Sequence, residues 1–416
     1  RLSAIVRLLE RAQSDKPRLG RLADDVAQYF LLTVLLAAVV VGGAWWWAAD
    51  VHTAFWIVLA MLVATCPCAL SLATPTALTT ATGSLHRLGL LVTRGHVLEG
   101  LPQMQTVILD KTGTLTEGRM TLEQIQPFAG VSSDQALRWA QMLESHSEHP
   151  IARAFGRTSA QAEASHNQPG MGLEGVCDGQ RLRIGKAEYA MELSQQPLPD
   201  RPSGDGQWLL LAGDQGPLAW FGLNDRLRTD AAELIGGLKQ RGLDVVLLSG
   251  DHQSVVDRVA AELQIEQAIG NASPDDKLAY VQQRQRAGEK VLMMGDGVND
   301  VPVLASADIS IAMGNASDLA KTSADAVLLG SRLGALLQAI TIAKRTRAIM
   351  IENLGWATLY NVAVLPLAAL GMITPALAAL GMSVSSLLVV LNALRLTRIR
   401  QPAQAALPVA QPEPST

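Results

Sequence analysis

Thr106-Val-Ile-Leu-Asp-Lys-Thr-Gly-Thr-Leu-Thr116 decides how the rest of the chain is read. Its first four residues form an apolar run with no polar alternation, which predicts a strand buried on both faces of a parallel sheet. The strand ends at Asp110. A carboxylate in that place can attack a phosphoryl group and become an aspartyl phosphate. Within the turn that follows, Lys111 sits next to the carboxylate, Thr112 and Gly113 bring backbone groups close, and Thr114 offers a hydroxyl. Phosphoryl transfer is mostly positioning and charge neutralisation, so it needs a cation and a metal beside the nucleophile. Lys277, in Ser273-Pro-Asp-Asp-Lys277, is the candidate cation. Asp296, in Gly295-Asp-Gly-Val-Asn-Asp300, is the candidate ligand for Mg²⁺ shared with Asp110, because a hard cation takes oxygen donors.

Working outward, Asp244-Val-Val-Leu-Leu-Ser-Gly-Asp251 and Lys290-Val-Leu-Met-Met-Gly-Asp296 read as two more buried parallel strands. Ala231–Arg241 and Ser254–Leu263 are candidate crossover helices. The pattern is doubly wound α/β, in which sites gather at the carboxyl ends of strands, where Asp110, Ser249, Asp251 and Asp296 all fall. Between Glu117 and Phe221 the elements shorten and Gly and Pro turns multiply, so a second domain is inserted into the first. Residues 401–416, rich in Ala, Pro and Gln, read as a disordered tail.

Of the 416 residues, only 17% are Asp, Glu, Lys or Arg, low for a wholly soluble protein. The charges cluster around long apolar runs. Val26–Ala49 and Val51–Leu85 carry no formal charge, and neither does Asn353–Leu394. The last run overshoots a bilayer about twofold as one helix. Gly371 and Pro375 break it, predicting a hairpin and four spans in all. Lys and Arg flank the spans at Arg18, Arg21, Arg87, Arg94, Lys344, Arg345, Arg347, Arg395, Arg398 and Arg400, and are absent from the two short connecting loops. The positive-inside rule then predicts both termini and the central region in the cytosol. A net charge of −4 gives no sign of a nucleic-acid surface.

Cys66-Pro-Cys68 lies inside the second run. Residues two apart on an ideal helix differ by about 200° and cannot share a ligand. Pro67 removes an N–H and frees the Val63 carbonyl, so a loosened turn can bring both sulfurs towards one ion. Thiolates select soft ions such as Cu(I) over hard cations. The alternative is a pair of buried cysteines beside a proline kink. Cys177 belongs to no motif and reads as a packed small hydrophobe, and three cysteines are too few for a disulfide framework.

Asp110–Thr116, Ser249-Gly-Asp251 and Gly295–Asp300, in that order, resemble the phosphorylation domain of P-type ATPases, within the haloacid-dehalogenase-like superfamily. The resemblance implies an α-helical transmembrane bundle with a doubly wound phosphorylation domain and an inserted α+β nucleotide-binding domain. It makes Asp110 the phosphorylated nucleophile and Thr112 a backbone ligand of Mg²⁺. Ser249 and Gly250 would face phosphate, Asp251 nucleotide or phosphate, and Asn299 and Asp300 would support the Mg²⁺ site. Ser147-Glu-His-Pro150, Glu144 and Gly170-Met-Gly172 resemble the ATP site of heavy-metal pumps, with His149 at the adenine end. Ile184-Gly-Lys186 departs from that pattern, with Lys in place of the usual Asn. Cys66 and Cys68 resemble the ion path of the metal-pump branch. Tyr360-Asn361 and Met382-Ser-Val-Ser-Ser386 resemble its copper type, with Asn361, Met382 and Ser386 near the ion. Asp24 matches an acidic residue where copper enters, or is a solvated interfacial charge.

The implied function is ATP-driven export of Cu(I), with ATP and Mg²⁺ as cofactors and a cytosolic copper donor, chaperone or small thiol, as partner. The implied place is a bacterial inner membrane. Residues 68–75 and 94–99 look closest to the bacterial branch tied to cytochrome oxidase assembly. The implied layout is a stalk over 1–25 and a helix pair over 26–95. The phosphorylation domain takes 96–117 and 222–335, with the nucleotide-binding domain over 118–221. A second helix pair over 345–395 and a tail over 396–416 complete it. Full pumps of this family also carry N-terminal metal-binding domains and an actuator with Thr-Gly-Glu. Neither is in this sequence, so it is expected to be N-terminally truncated, binding ATP without completing the cycle. Two other readings stay open: a membrane-anchored phosphatase of the same superfamily, and an inactive metal-binding membrane fragment.

Overall fold

Charge-free runs have nowhere to hydrogen-bond in a bilayer except within themselves, and they fold here as helices. The computed structural model describes residues 18–398 other than 66–67, 146, 148–149, 157, 169, 195, 203–205, 298–299 and 331, and describes residues 18–27, 68–70, 150 and 398 by backbone only. The stalk residues 1–17 and the tail from 399 onward, both expected from the sequence, lie outside the described residues. The chain divides into two compact units, residues 1–104 with 325–416, and residues 105–324.

The first unit opens with α1 (Arg18–Ala48). Asp50 then caps α2 (Val51–Ala64), accepting from the Thr53 N–H at 2.8 Å and the Thr53 hydroxyl at 2.9 Å. Within the expected span Val51–Leu85, α2 ends with Thr65 as its C-cap and a new helix, α3 (Cys68–Arg87), follows. Pro67, which lies between them in the sequence, has no N–H to donate to a helix. At 1.5 Å per residue α2 reaches about 21 Å, short of a ~30 Å hydrocarbon core. Three described stretches are long and apolar enough to cross alone: Gln28–Ala48, Ala335–Ala369 and Pro375–Thr397. A short strand, β1 (Leu90–Val92), follows α3.

In the second unit, β2 (Thr106–Leu109) is buried along its whole length. Beyond Asp110 the chain leaves this sheet through β3 (Thr116–Pro127). Next come α4 (Ser133–Glu144), β4 (Glu163–Gln168), β5 (Gly172–Cys177), β6 (Gln180–Gly185), α5 (Ala187–Met191), β7 (Gln207–Gly213) and β8 (Gly216–Leu227). These strands form one antiparallel sheet in the order β3-β8-β7-β6-β5-β4. In β5 burial alternates, as a half-covered strand requires. One face packs Leu173, Cys177, Leu182 and Phe221 against Ala136, Trp139 and Leu143 of α4. The other packs Trp208, Leu210 and Trp220 against Ala190 and Met191 of α5.

The chain then returns through α6 (Ala231–Lys239), β9 (Asp244–Leu248), α7 (Gln253–Glu262), β10 (Gln267–Ile269), α8 (Pro274–Arg286), β11 (Val291–Gly295), α9 (Val301–Ser306), β12 (Ile309–Met313) and α10 (Asp318–Ser323). Its five strands run parallel in the order β12-β11-β2-β9-β10. From β2 the chain builds outward to β9 and β10, then crosses back to β11 on the other side. The strand order therefore reverses at β2, and crevices open at such reversals.

The first unit resumes with β13 (Ala326–Leu328), antiparallel to β1 with Leu91 opposite Val327. Two helices follow, α11 (Ala335–Ala369) and α12 (Pro375–Leu394). The expected hairpin is present: Gly371 turns at φ 73° and Thr374 caps α12. Small residues bring the helices together. Ala73, Ala357 and Val389 join α3, α11 and α12. Ala38, Ile57, Met61 and Ala368 join α1, α2 and α11, and the Trp45 indole N–H donates to the Ala369 carbonyl at 3.0 Å.

Candidate functional site

β2 carries Asp110 to the reversal point, where the carboxylate is 5% exposed. Its N–H still belongs to the sheet, donating to the Met294 carbonyl at 2.9 Å. The side chain is held by Lys277, whose ammonium lies 2.5 Å from Asp110 Oδ1 and 2.8 Å from Asp300 Oδ1. Lys277 reaches in from the first turn of α8. There Ser273 and Asp276 form a reciprocal cap that fixes the helix start. One oxygen each from Asp110, Asp296 and Asp300 lie within 4.8 Å of one another.

Three carboxylates around one ammonium carry surplus negative charge. Burial first, then Asp300, push Asp110 up to about 7 against the pull of Lys277. Burial, then Asp300 and Asp225, push Asp296 up to about 6. Burial works against the Lys277 ammonium, but the carboxylates of Asp110 and Asp300 hold it above its ordinary value. A divalent cation answers that surplus, and an all-oxygen donor set suits Mg²⁺. The turn is shaped for the same purpose. Gly113 adopts φ 70°, and a Cβ there would fall on the Asp296 carboxylate. The Thr114 hydroxyl is buried without a partner among the described residues, as a donor waiting for phosphate oxygen would be.

Around this centre, Lys111 pairs with Asp251 at 2.5 Å, so two of the expected residues hold each other. Ser249 is buried, its hydroxyl accepting from the Asp251 N–H at 3.2 Å, and Gly250 between them is exposed. Thr112 is exposed in the same turn as Asp110. Sequence reasoning missed two residues. Arg228 donates to the carbonyls of Thr114 at 2.9 Å and Gly113 at 3.1 Å. Asp225 accepts from the Thr116 hydroxyl at 2.6 Å and the Arg119 N–H at 3.1 Å. Together they clamp the Asp110 turn from the strand that leaves the inserted sheet. The signal was there in Asp225-Arg-Leu-Arg228, charged residues ending an otherwise apolar strand.

In the inserted sheet, Glu144 closes α4 with its carboxylate mostly buried. Burial drives it up to about 7, against a hydrogen bond from Ser147. Gly170 turns at φ 75° into β5. Gly172 lies opposite Gly185, where an added Cβ would sit 2.8 Å from the Gly185 Cα. Two bare backbones therefore cross at the edge that carries the exposed Lys186. His149 and Asn299 lie outside the described residues.

In the helical unit, Cys66 lies outside the described residues, and Asp24 and Cys68 fall in helices whose side chains there are not described. Asn361 is buried on α11, its Oδ1 without a partner among the described residues. Met382 and Ser386 on α12 are half-buried, whereas Ser385 is buried, its hydroxyl likewise without a partner among the described residues.

Comparison with known proteins places both units. Two haloacid dehalogenase-like hydrolase families match, over residues 104–308 and 278–340. The "Probable copper-exporting P-type ATPase V" of Mycobacterium tuberculosis is 37% identical over 97% of this chain and 54% of its own length. The nitrogen fixation protein FixI of Rhizobium leguminosarum bv. viciae is 39% identical over 95% of this chain and 52% of its own. The chain thus spans about half the length of the curated relatives it matches. Among solved structures, a zinc-transporting PIB-type ATPase in the E2·Pi state superposes with a TM-score of 0.74 at 31% identity, covering 95% of this chain and 67% of that one. The catalytic domain of the CPx-ATPase CopB-B superposes with a TM-score of 0.53 at 30% identity, covering 62% of this chain and 98% of that domain. Because the likeness runs through both units, the chain belongs to the PIB-type ATPases.

Proposed function

We propose that this chain is the catalytic part of an ATP-driven exporter of Cu(I) that works through an aspartyl phosphate at Asp110. One observation carries the reading: a buried aspartate at a strand-order reversal, in contact with a buried lysine and within metal-sharing distance of two more aspartates. The free Asp110 oxygen attacks the γ-phosphorus of ATP. A bond forms from Oδ to phosphorus, the bond from phosphorus to the β,γ-bridging oxygen breaks, and ADP leaves with that electron pair. Lys277 keeps Asp110 ionised and oriented, and Thr114 and Ser249 supply hydroxyls to the phosphoryl oxygens. Asp110, Asp296 and the Thr112 carbonyl would hold Mg²⁺, with Asn299 and Asp300 in support, and the ion would supply charge neutralisation at the phosphoryl oxygens. Glu144, His149, Gly170 and Gly172 would hold the nucleotide, with residues 118–221 as its domain and 96–117 with 222–335 as the phosphorylation domain.

For the cargo, one relative is named a probable copper-exporting ATPase and one solved neighbour a zinc-transporting one. The Cys-Pro-Cys, Asn361 and Met382, with no charged residue between 353 and 394, favour Cu(I) over a divalent ion. The same reading places the chain in a bacterial inner membrane with both ends and the second unit in the cytosol, taking copper from a cytosolic thiol or chaperone. The test is acid-stable labelling of the protein by the γ-phosphate of ATP. Labelling that depends on Cu(I) and vanishes in Asp110→Asn is expected. Hydrolysis of small phosphate esters without labelling would replace the pump by a phosphatase.

A further inference from the structure

At the end of the α11–α12 hairpin opposite Gly371, a chain of hydrogen bonds aims an arginine. Asn353, 2% exposed, donates from Nδ2 to the Val389 carbonyl at 3.3 Å, and its Oδ1 accepts from Asn392 Nδ2 at 2.9 Å. The same Asn392 amide donates to Glu352 Oε2 at 3.1 Å. Arg395 then uses one terminal nitrogen, Nη1, for both neighbours, donating to Asn392 Oδ1 at 2.7 Å and to Glu352 Oε2 at 3.4 Å. Its Nε and Nη2 have no partner among the described residues. That open edge is a planar pair of donors, the fork that takes two phosphate oxygens at once.

The depth suits a lipid headgroup. From the turn at Gly371 back to Glu352, and from Pro375 on to Arg395, each helix rises about 30 Å, the thickness of a hydrocarbon core. Asn353 opposite Val389 sets the antiparallel register, which brings Arg345 within about one turn of Arg395 along the axis. Arg345 is exposed and has no ion pair among the described residues. It lies on the same side of α11 as Glu352, because seven residues turn a helix through nearly two full circles. Towards Gly371 that side of α11 continues as Trp356 and Leu359. The side of α12 that carries Arg395 continues as Leu391 and Leu388, and all four are exposed. Two apolar stripes with basic ends therefore meet along one seam. Arg395 answers the charge of Glu352, which leaves Arg345 as surplus positive charge.

We propose that this seam binds an anionic phospholipid. Its phosphate lies between Arg345 and the open edge of Arg395, and an acyl chain runs along Trp356, Leu359, Leu388 and Leu391. Basic pockets between membrane helices hold acidic headgroups in this way. The apolar stripes select a lipid over a free phosphate ion, and the aimed fork separates a site from the general field of the membrane surface. The inference rests on the helices spanning a bilayer and is independent of the cargo.

The test uses the full chain in detergent micelles, titrated with phosphatidylglycerol and, separately, with phosphatidylcholine, the bound lipid being counted by native mass spectrometry. The wild type is expected to bind phosphatidylglycerol more tightly. Arg345→Gln and Arg395→Gln are each expected to weaken that binding about fivefold, the loss of one charge at the headgroup. Arg395→Lys keeps the charge without the fork and is expected to weaken it about threefold. Glu352→Gln keeps an acceptor for Asn392 and Arg395 but removes the negative charge, and is expected to tighten binding about threefold, which a damaged seam cannot do. Arg347→Gln, about 200° round α11 from Arg345, is expected to stay within about twofold of the wild type. Equal binding of the two lipids by the wild type overturns the proposal, as does wild-type affinity in Arg395→Lys. A loss in Arg347→Gln equal to that in Arg345→Gln would mean diffuse surface charge, and displacement of the lipid by inorganic phosphate would mean an ion site; each overturns it too. Labelling at Asp110, measured on the same preparations, tells a failure of this proposal from a failure of the export reading.

Discussion

Single carboxylates in this protein are held where charge is expensive, and two of them make that testable. Asp110 and Asp300 share one ammonium, with Asp296 in the same cluster. Removing one negative charge relieves the others, so Asp110→Asn should stabilise the fold at pH 8 in the presence of a chelator by on the order of 1–2 kcal/mol, read as a higher melting temperature. An unchanged or lower melting temperature would show that the cluster is not under repulsion. Glu144 shows the same principle without a metal. Its folded value is raised from 4.5 to about 7. The folded protein therefore holds a proton that the unfolded chain has released, and stability falls as pH rises from about 4.5 to 7. Glu144→Gln should flatten that fall and raise stability at pH 8 by at most about 3 kcal/mol, read from urea midpoints at pH 5 and pH 8. A variant that follows the wild-type pH profile refutes the burial argument.

At the scale of elements, the turn between β2 and β3 is the most constrained segment. Gly113 must adopt φ 70° and must lack a Cβ to let Asp296 approach. Gly113→Ala should keep the fold but lose phosphorylation about a hundredfold, since a displacement near 1 Å costs that much. It should also abolish the rise in melting temperature that Mg²⁺ gives the wild type. Labelling within tenfold of wild type would show that the turn tolerates a side chain. Elements of this kind were legible in the sequence when local pattern decided them. The strand ending at Asp110, the hairpin at Gly371 and the run carrying Lys277 all follow from residues adjacent in the chain. The break between α2 and α3 was only half legible. Pro67 predicted a loosened turn, but nothing local said that α2 would be too short to cross alone. Arg228 and Asp225 were legible only as charges ending an apolar strand, because their partners, Thr114 and Thr116, lie more than a hundred residues away across the inserted sheet.

At the scale of the whole molecule, the chain passes between its two units only twice, at 104–105 and at 324–325. Both ends of the second unit are tied to neighbouring backbone of that unit. Gln105 donates to the Lys290 carbonyl at 2.9 Å and accepts from the Asp244 N–H at 2.9 Å, and Ala324 donates to the Ala320 carbonyl at 3.0 Å. Every strand and helix that positions Asp110, Lys277, Asp296 and Asp300 lies inside 105–324, and the inserted sheet has apolar cores on both faces. Among the described residues, the side chains of the aspartate centre and their partners all come from this unit. Residues 105–324 expressed alone should be soluble, and the buried Trp139, Trp208 and Trp220 should give a structured near-ultraviolet dichroism spectrum. Mg²⁺ should raise the melting temperature of this piece in the wild type and much less in Asp296→Asn, because binding to the folded state alone adds stability by mass action. An aggregated product, or a Mg²⁺ response equal in both, would mean that the centre is assembled only with the membrane helices in place.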